Sequence, residues 1–306
     1  MRRFLSGTGR VLITAGVLIL LFVAYQLWGT GILQARSQDE LKSQFDRTLA
    51  TATSTTTTTA PTATTAPTTT TTTLPPAPAR AGEGDPVANI EIPKIDVSQT
   101  VVEGVAVDDL RKGPGHYPAT PLPGQEGNAA IAGHRTTYGA PFADLDQLEV
   151  GDVIHVKTVQ GDFTYKVSKN PFAVDPNDGS VLEDEPDPNR AGGHLATLTL
   201  TTCTPKFSAA QRLIVQAKLD LPPDQAPLPA SVPPDAPRTI AGLDGETSSR
   251  SPALLWALIA TAVGLCWWWL FHRYKHWYVW FAGAIPFLVV LFVFFTYLER
   301  LLPANY

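Results

Sequence analysis

Many short strands set between closely spaced turn signals predict an all-β core, a small closed barrel or sandwich, flanked by apolar helices. Two observations carry this expectation. Over residues 85–221, short alternating or apolar runs are punctuated by Gly, Pro and Asp, the pattern of half-buried strands joined by tight turns. Near both ends of the chain lie apolar blocks long enough to cross a bilayer.

From the N-terminus, Val11–Trp28 is a nearly unbroken apolar run behind Arg2, Arg3 and Arg10. It is longer than the apolar core of a cleaved signal peptide and ends in Gln26-Leu27-Trp28 rather than a small-x-small site, so residues 1–33 read as a cytoplasmic tip and an uncleaved membrane helix. Residues 34–50 are polar, with charges spaced for a short juxtamembrane helix. Residues 51–83 are almost entirely Thr, Ala and Pro, which cannot bury enough apolar surface to offset ordering, so residues 34–84 end in an extended tether that lifts the next domain off the membrane. A Pro-rich stretch at 222–252 leads to two more apolar blocks within 253–306, Leu254–Phe271 and Trp277–Leu298, the second interrupted by Pro286 and expected to kink there. The basic turn between them holds Arg273 and Lys275 and is flanked by tryptophans, as at a membrane interface. With positive residues inside, one three-span topology satisfies both basic clusters and leaves residues 29–253 outside the cell.

Within residues 85–221 the pattern predicts strands at Ala88–Ile92, Gln99–Val102, Asn128–Ala132, Val153–Thr158, Phe163–Lys169, His194–Thr201 and Arg212–Leu219. Val159-Gln160-Gly161-Asp162 predicts a hairpin turn, and single helical turns are expected around Asp109–Leu110 and Ala140–Leu145.

The chain of 306 residues has a formal net charge of -5 and no Lys/Arg stripe, which excludes nucleic acid as the partner. No two histidines or carboxylates show metal-ligand spacing, so neither a metal nor a cofactor is expected. Of the two cysteines, Cys266 falls in an apolar block and Cys203 in the globular stretch, which makes a disulfide between them implausible. Alone, Cys203 reads equally well as a small buried hydrophobe.

Three strand ends carry chemistry. Asn128-Ala129-Ala130-Ile131-Ala132-Gly133-His134-Arg135 delivers a histidine, Leu198-Thr199-Leu200-Thr201-Thr202-Cys203 delivers a cysteine, and Arg212-Leu213-Ile214-Val215 opens with an arginine. A thiolate is a nucleophile, an imidazole exchanges its proton, and a guanidinium faces an oxyanion with fixed donors. Each residue alone is more often a surface side chain; only the joint pattern shifts the balance.

That joint pattern resembles the sortase family. The order His…Cys…Arg, the Thr-Leu-Thr-Thr-Cys strand, Arg212 nine residues after Cys203, Gly124-Gln125-Glu126-Gly127-Asn128 and Leu148-x-x-Gly151-Asp152 carry the likeness over Ile92–Leu219. Gly113-Pro114-Gly115-His116-Tyr117-Pro118, His134-Arg135-Thr136-Thr137-Tyr138-Gly139 and Cys203-Thr204-Pro205-Lys206 look most like class E members of high-GC Gram-positive bacteria. The two C-terminal helices depart from the single N-terminal anchor usual there. C-terminal anchors are familiar in the pilin-polymerising class, but the Asp-Pro-aromatic lid of that class is missing, since Asp85-Pro86 is followed by Val87.

The resemblance implies an eight-stranded β-barrel and a membrane-anchored cysteine transpeptidase, with Cys203 as nucleophile, His134 as acid/base and Arg212 as electrostatic clamp. It implies cleavage between Thr and Gly of a C-terminal sorting signal close to Leu-Ala-x-Thr-Gly, then transfer to an amine of a peptidoglycan precursor or a pilin Lys. Tyr117, Thr202 and His116 are the expected substrate-binding residues. A hydrolytic cysteine protease, a pilin-polymerising sortase and an inactive surface-binding module stand as alternatives.

Overall fold

The structure, a computed structural model, describes residues 2–56, 81–189, 193–222, 225–231, 250–274 and 276–300. Residues 57–80 of the Thr/Pro tract and most of the second Pro-rich stretch therefore lie outside the described residues. The chain forms two compact units, one of residues 31–242 and one of residues 1–30 with 243–305.

Among the described residues of the larger unit nine strands follow in chain order: β1 (Pro86–Ile92), β2 (Val97–Glu103), β3 (Gly115–His116), β4 (Gly127–Ala132), β5 (Val153–Thr158), β6 (Gly161–Val167), β7 (Phe172–Val174), β8 (Ala196–Thr204) and β9 (Gln211–Leu219). They hydrogen-bond in the order β6-β5-β1-β2-β3-β4-β8-β9, and β6 pairs β9 to close the ring. The result is the expected closed barrel of eight strands, with β7 added as a short ninth on the outer end of β9.

Alternation explains the closure. In β5, Ile154 and Val156 are buried while His155 and Lys157 are exposed; in β8, Leu198 and Leu200 enter the core with Ala129, Ile131, Val215 and Ala217 of the neighbouring strands. Phe142, Leu145 and Leu148, from the segment after β4, plug the same core, and a 3-10 turn forms at Leu145–Gln147. The two-residue connection Val159-Gln160 joins β5 to β6, with Thr158 opposite Gly161.

The N-terminal segment runs as α1 (Arg2–Ala24), a π-helical turn (Tyr25–Gly29) and α2 (Thr30–Thr56); α3 (Val107–Leu110) is the single turn expected after β2. The helix predicted over 34–50 is thus longer than its charge spacing implied, and it is packed onto the barrel. Gln38 Nε2 donates to Thr100 O (3.0 Å) and Lys112 O (2.8 Å), while Gln38 Oε1 accepts from Thr100 N (2.7 Å). Gln34 Nε2 donates to Gln99 Oε1 (2.6 Å). Leu41 and Phe45 share the helix face of Gln34 and Gln38 and are buried. The first residues of the Thr/Pro tract, 51–56, continue this helix, and residues 57–80 of the expected tether lie outside the described residues.

In the smaller unit, α4 (Arg250–Tyr274) and α5 (Trp277–Arg300) contain stretches long and apolar enough to cross a membrane, Ser251–Tyr274 and Trp280–Leu298. Pro286 lies inside α5. In the first helix the apolar stretch Leu12–Ala24 is α-helical and gives way to the π-helical turn at Tyr25. Tyr25 packs on Phe292 and Phe295 of α5, with ring centroids 5.2 and 5.8 Å away.

Candidate active site

The three chemical residues are aligned by strand register. β4 and β8 run parallel with Ala132 opposite Thr201, and Gly133 N donates to Thr201 O (3.0 Å) just beyond β4. Two residues further along each strand stand His134 and Cys203. β8 and β9 run antiparallel with Cys203 directly opposite Arg212. Residues level with one another project to the same side, and Leu198, Leu200 and Leu213 occupy the core side. Cys203 and Arg212 therefore project together on the outer side of β8 and β9, and His134 follows the end of β4 by two residues, as Cys203 follows Thr201.

All three are buried, at 5%, 6% and 5% exposure. Burial sets their protonation. The His134 imidazole is pushed down to about 4, first by loss of solvent and then by the nearby Arg111 guanidinium, so it is neutral at pH 7. Burial pushes the Cys203 thiol up, against the opposing pull of Arg212 and Arg135. Arg212 Nη1 donates to Ala209 O (3.1 Å), while its Nε is buried with no hydrogen-bond partner among the described residues. A fixed cation beside the nucleophile with an unused donor suits a developing oxyanion. The Tyr138 ring lies tilted by 38° against His134, centroids 5.1 Å apart, and Arg111 Cζ lies 5.7 Å from the centre of the Tyr138 ring.

Among the other expected residues, Tyr117 stands beside β8. It is buried, its hydroxyl lies 3.2 Å from Thr201 Oγ1, and Thr201 precedes Cys203 by two positions on the same side of β8. Burial pushes its phenol up, opposed by the Thr201 hydrogen bond and by Arg212.

Thr202 and His116 have other tasks. The Thr202 hydroxyl donates to Gly133 O (2.8 Å) and ties β8 to the segment leading to His134. His116 lies in β3 rather than a loop; its Nδ1 is 2.8 Å from Glu103 Oε2 and its Nε2 is 2.9 Å from Pro121 O. Both side chains are buried, at 1% and 2% exposure, and engaged with partners inside the fold. Alternation places Thr202 with Leu200 on the core side of β8, a signal already present in the sequence.

Comparison with known proteins agrees with this architecture. Residues 90–220 match the sortase domain family. The chain belongs to the sortase family. Sortase SrtE1 of Streptomyces coelicolor is 33% identical over 218 residues, covering 69% of this chain and 56% of that protein. Sortase D of Bacillus subtilis is 36% identical over 133 residues, covering 42% of this chain and 61% of that protein. The chain thus spans little more than half the length of these two curated sortases. A crystal structure of sortase E1 from Streptomyces coelicolor with a tripeptide in the active site is 37% identical, covers 45% of this chain and 90% of that one, and superposes with a TM-score of 0.41. With class E members prominent among its relatives, this sortase is class E-like.

Proposed function

We propose that this sortase is a membrane-anchored cysteine transpeptidase that cleaves a C-terminal sorting signal close to Leu-Ala-x-Thr-Gly and joins the Thr carbonyl to a cell-wall amine. The observation that supports the reading is Cys203 directly opposite Arg212 on paired strands, with His134 just past the end of β4, which pairs β8 on its other side.

The cycle follows from the protonation states. His134, neutral at rest, takes the Cys203 proton as Sγ attacks the Thr carbonyl, so the thiolate is generated as it reacts. The carbonyl oxygen gains the negative charge, and Arg212 stabilises it through its charge and its unused Nε–H. The imidazolium returns the proton to the departing Gly nitrogen, leaving a thioester. An incoming amine then attacks the thioester carbonyl, gives its proton to His134, and releases Cys203 as the thiol once that proton is returned. The low proton affinity of His134 makes it a strong acid toward the leaving amine.

Tyr117 reads the residue two before Thr in the signal, where Ala takes the place of Pro. Its ring occupies the volume that a pyrrolidine would fill, beside an Ala N–H that Pro lacks. The membrane helices hold the enzyme where secreted substrates emerge, with Arg2, Arg3, Arg10, Arg273 and Lys275 on the cytoplasmic side.

The test is mass spectrometry of the full chain with sorting peptides, with and without an added amine. A Cys203 thioacyl adduct that the amine converts to a peptide–amine product is expected. A product cleaved at the same rate and hydrolysed whether or not amine is present identifies a protease instead.

A further inference from the structure

The β4–β8 pairing, which leads to His134 on one strand and Cys203 on the other, ends short of both. The last backbone rung between their strands is the bond from Gly133 N to Thr201 O. Beyond it, one side chain takes over. Arg135, adjacent to His134 and 6% exposed, donates through Nη1 to the Cys203 carbonyl (3.2 Å) and to Thr204 Oγ1 (2.8 Å). Its Nε donates to Ala143 O (3.4 Å), and its Nη2 pairs with Asp146 Oδ1 (3.0 Å).

From these contacts we infer that Arg135 is a positioning residue of the reaction: its guanidinium fixes the Cys203 backbone to the His134 backbone where the sheet no longer does. The inference rests on the transpeptidase reading only for its kinetic consequence.

Three arguments carry it. A guanidinium is a planar fork whose donors meet a carbonyl, a hydroxyl and a carboxylate together, and a lysine ammonium cannot span them in that geometry. The carboxylate of Asp146 fixes the fork's far side, so the guanidinium does not swing with the surface. Finally, Arg135 sits on the opposite parity from Arg212: its partner Thr204 shares the core-side alternation of Leu200 and Thr202, whereas Arg212 lies on the outer side. The reactive cysteine is thus held between two fixed cations, and Arg135 adds its pull on the thiol to that of Arg212. No proton or bond passes through Arg135.

The experiment uses the full chain in detergent with Cys266→Ala as background, so that Cys203 is the single thiol. Arg135→Ala, Arg135→Lys and Asp146→Asn are compared by kcat and KM for peptide transfer, by the pH profile of Cys203 alkylation with iodoacetamide, and by melting temperature. Arg135→Ala is expected to lower kcat about 100-fold, the effect of a misplaced reacting group, with KM changed only a few-fold. Its alkylation midpoint moves to higher pH. Arg135→Lys keeps the midpoint near wild type but recovers only part of kcat, and Asp146→Asn lowers kcat without raising the midpoint.

A purely structural role would lower the melting temperature of Arg135→Ala and leave kcat per folded molecule and the midpoint as in wild type; that result overturns the inference. Should Arg135→Ala not fold, full kcat in Arg135→Lys overturns it equally. Alkylation needs no peptide, so a wild type without transfer activity would sink the transpeptidase reading while the pH profile still decides the role of Arg135.

Discussion

Replacing His134 with Gln should remove a large part of the acid sensitivity of the barrel. An unfolded chain binds a proton on this imidazole near 6.5, whereas burial and Arg111 hold it off in the folded state until about 4. Between those values the unfolded state carries more protons, so acid favours unfolding. The His134 contribution is fully present above pH 6.5 and is lost as pH falls toward 4. The gap of roughly 2.5 pH units, at about 1.4 kcal/mol each, amounts to about 3 kcal/mol. The assay is urea unfolding of the Gly31–Gly242 unit at a series of pH values, for wild type and His134→Gln side by side. Carboxylates titrate in both proteins and cancel in the difference. The wild type should lose about 3 kcal/mol more than the variant between pH 7 and pH 4. Parallel curves, or a His134 NMR titration centred near 6.5, would refute the argument that this imidazole is shut away from solvent.

Cys203→Ala should abolish transfer while Cys266→Ala leaves it intact, and Arg212→Ala should lose ~10²–10³ in kcat, since it removes the oxyanion's cation; steady-state assays on the three variants check both. Tyr117→Ala should lose the preference for Ala over Pro in the signal by ~1–3 kcal/mol, read from the ratio of kcat/KM for two peptides; equal loss on both would give Tyr117 a packing role only. Gln38→Ala leaves the Thr100 backbone groups unpaired and should cost about 1–3 kcal/mol, and Phe45→Ala about 3–5, measured by denaturant unfolding. Cysteine labelling in intact cells should find Asp235 outside and Arg273 inside; Arg273 outside would break the three-span arrangement.

Seven of the nine strands among the described residues are readable from alternating or short apolar runs bounded by turn residues. The two that are not, Gly115–His116 and Phe172–Val174, are only two and three residues long, too short for a period of two to register. Their existence depends on partners distant in the chain: Glu103 and Ile131 for His116, Leu213 for Ala173. The segments carrying His134, Cys203 and Arg212 were legible as strand ends, whereas the register that sets Cys203 opposite Arg212 belongs to the pairing of distant segments. The partners of Thr202 and His116, the Gly133 carbonyl and Glu103, were not legible, because only the folded arrangement brings them together. Helix α2 was legible as a helix but not as a barrel component. Its buried face reads Gln34, Gln38, Leu41, Phe45, and a stripe that is half amide looks solvent-facing to any hydrophobic count.

Gln38 does the work of a missing strand. Over Thr100, β2 has β1 on one side, while β3 reaches only Val102 and Glu103 on the other. The outward N–H and C=O of Thr100 would otherwise be an open edge, a template on which a second chain adds a strand. One amide, carrying a donor and an acceptor, satisfies both and blunts that edge. A soluble enzyme trimmed to begin after the Thr/Pro tract would fold around the same core yet expose this edge. It would therefore pair with copies of itself at high concentration, an association that belongs to the truncation and not to the protein.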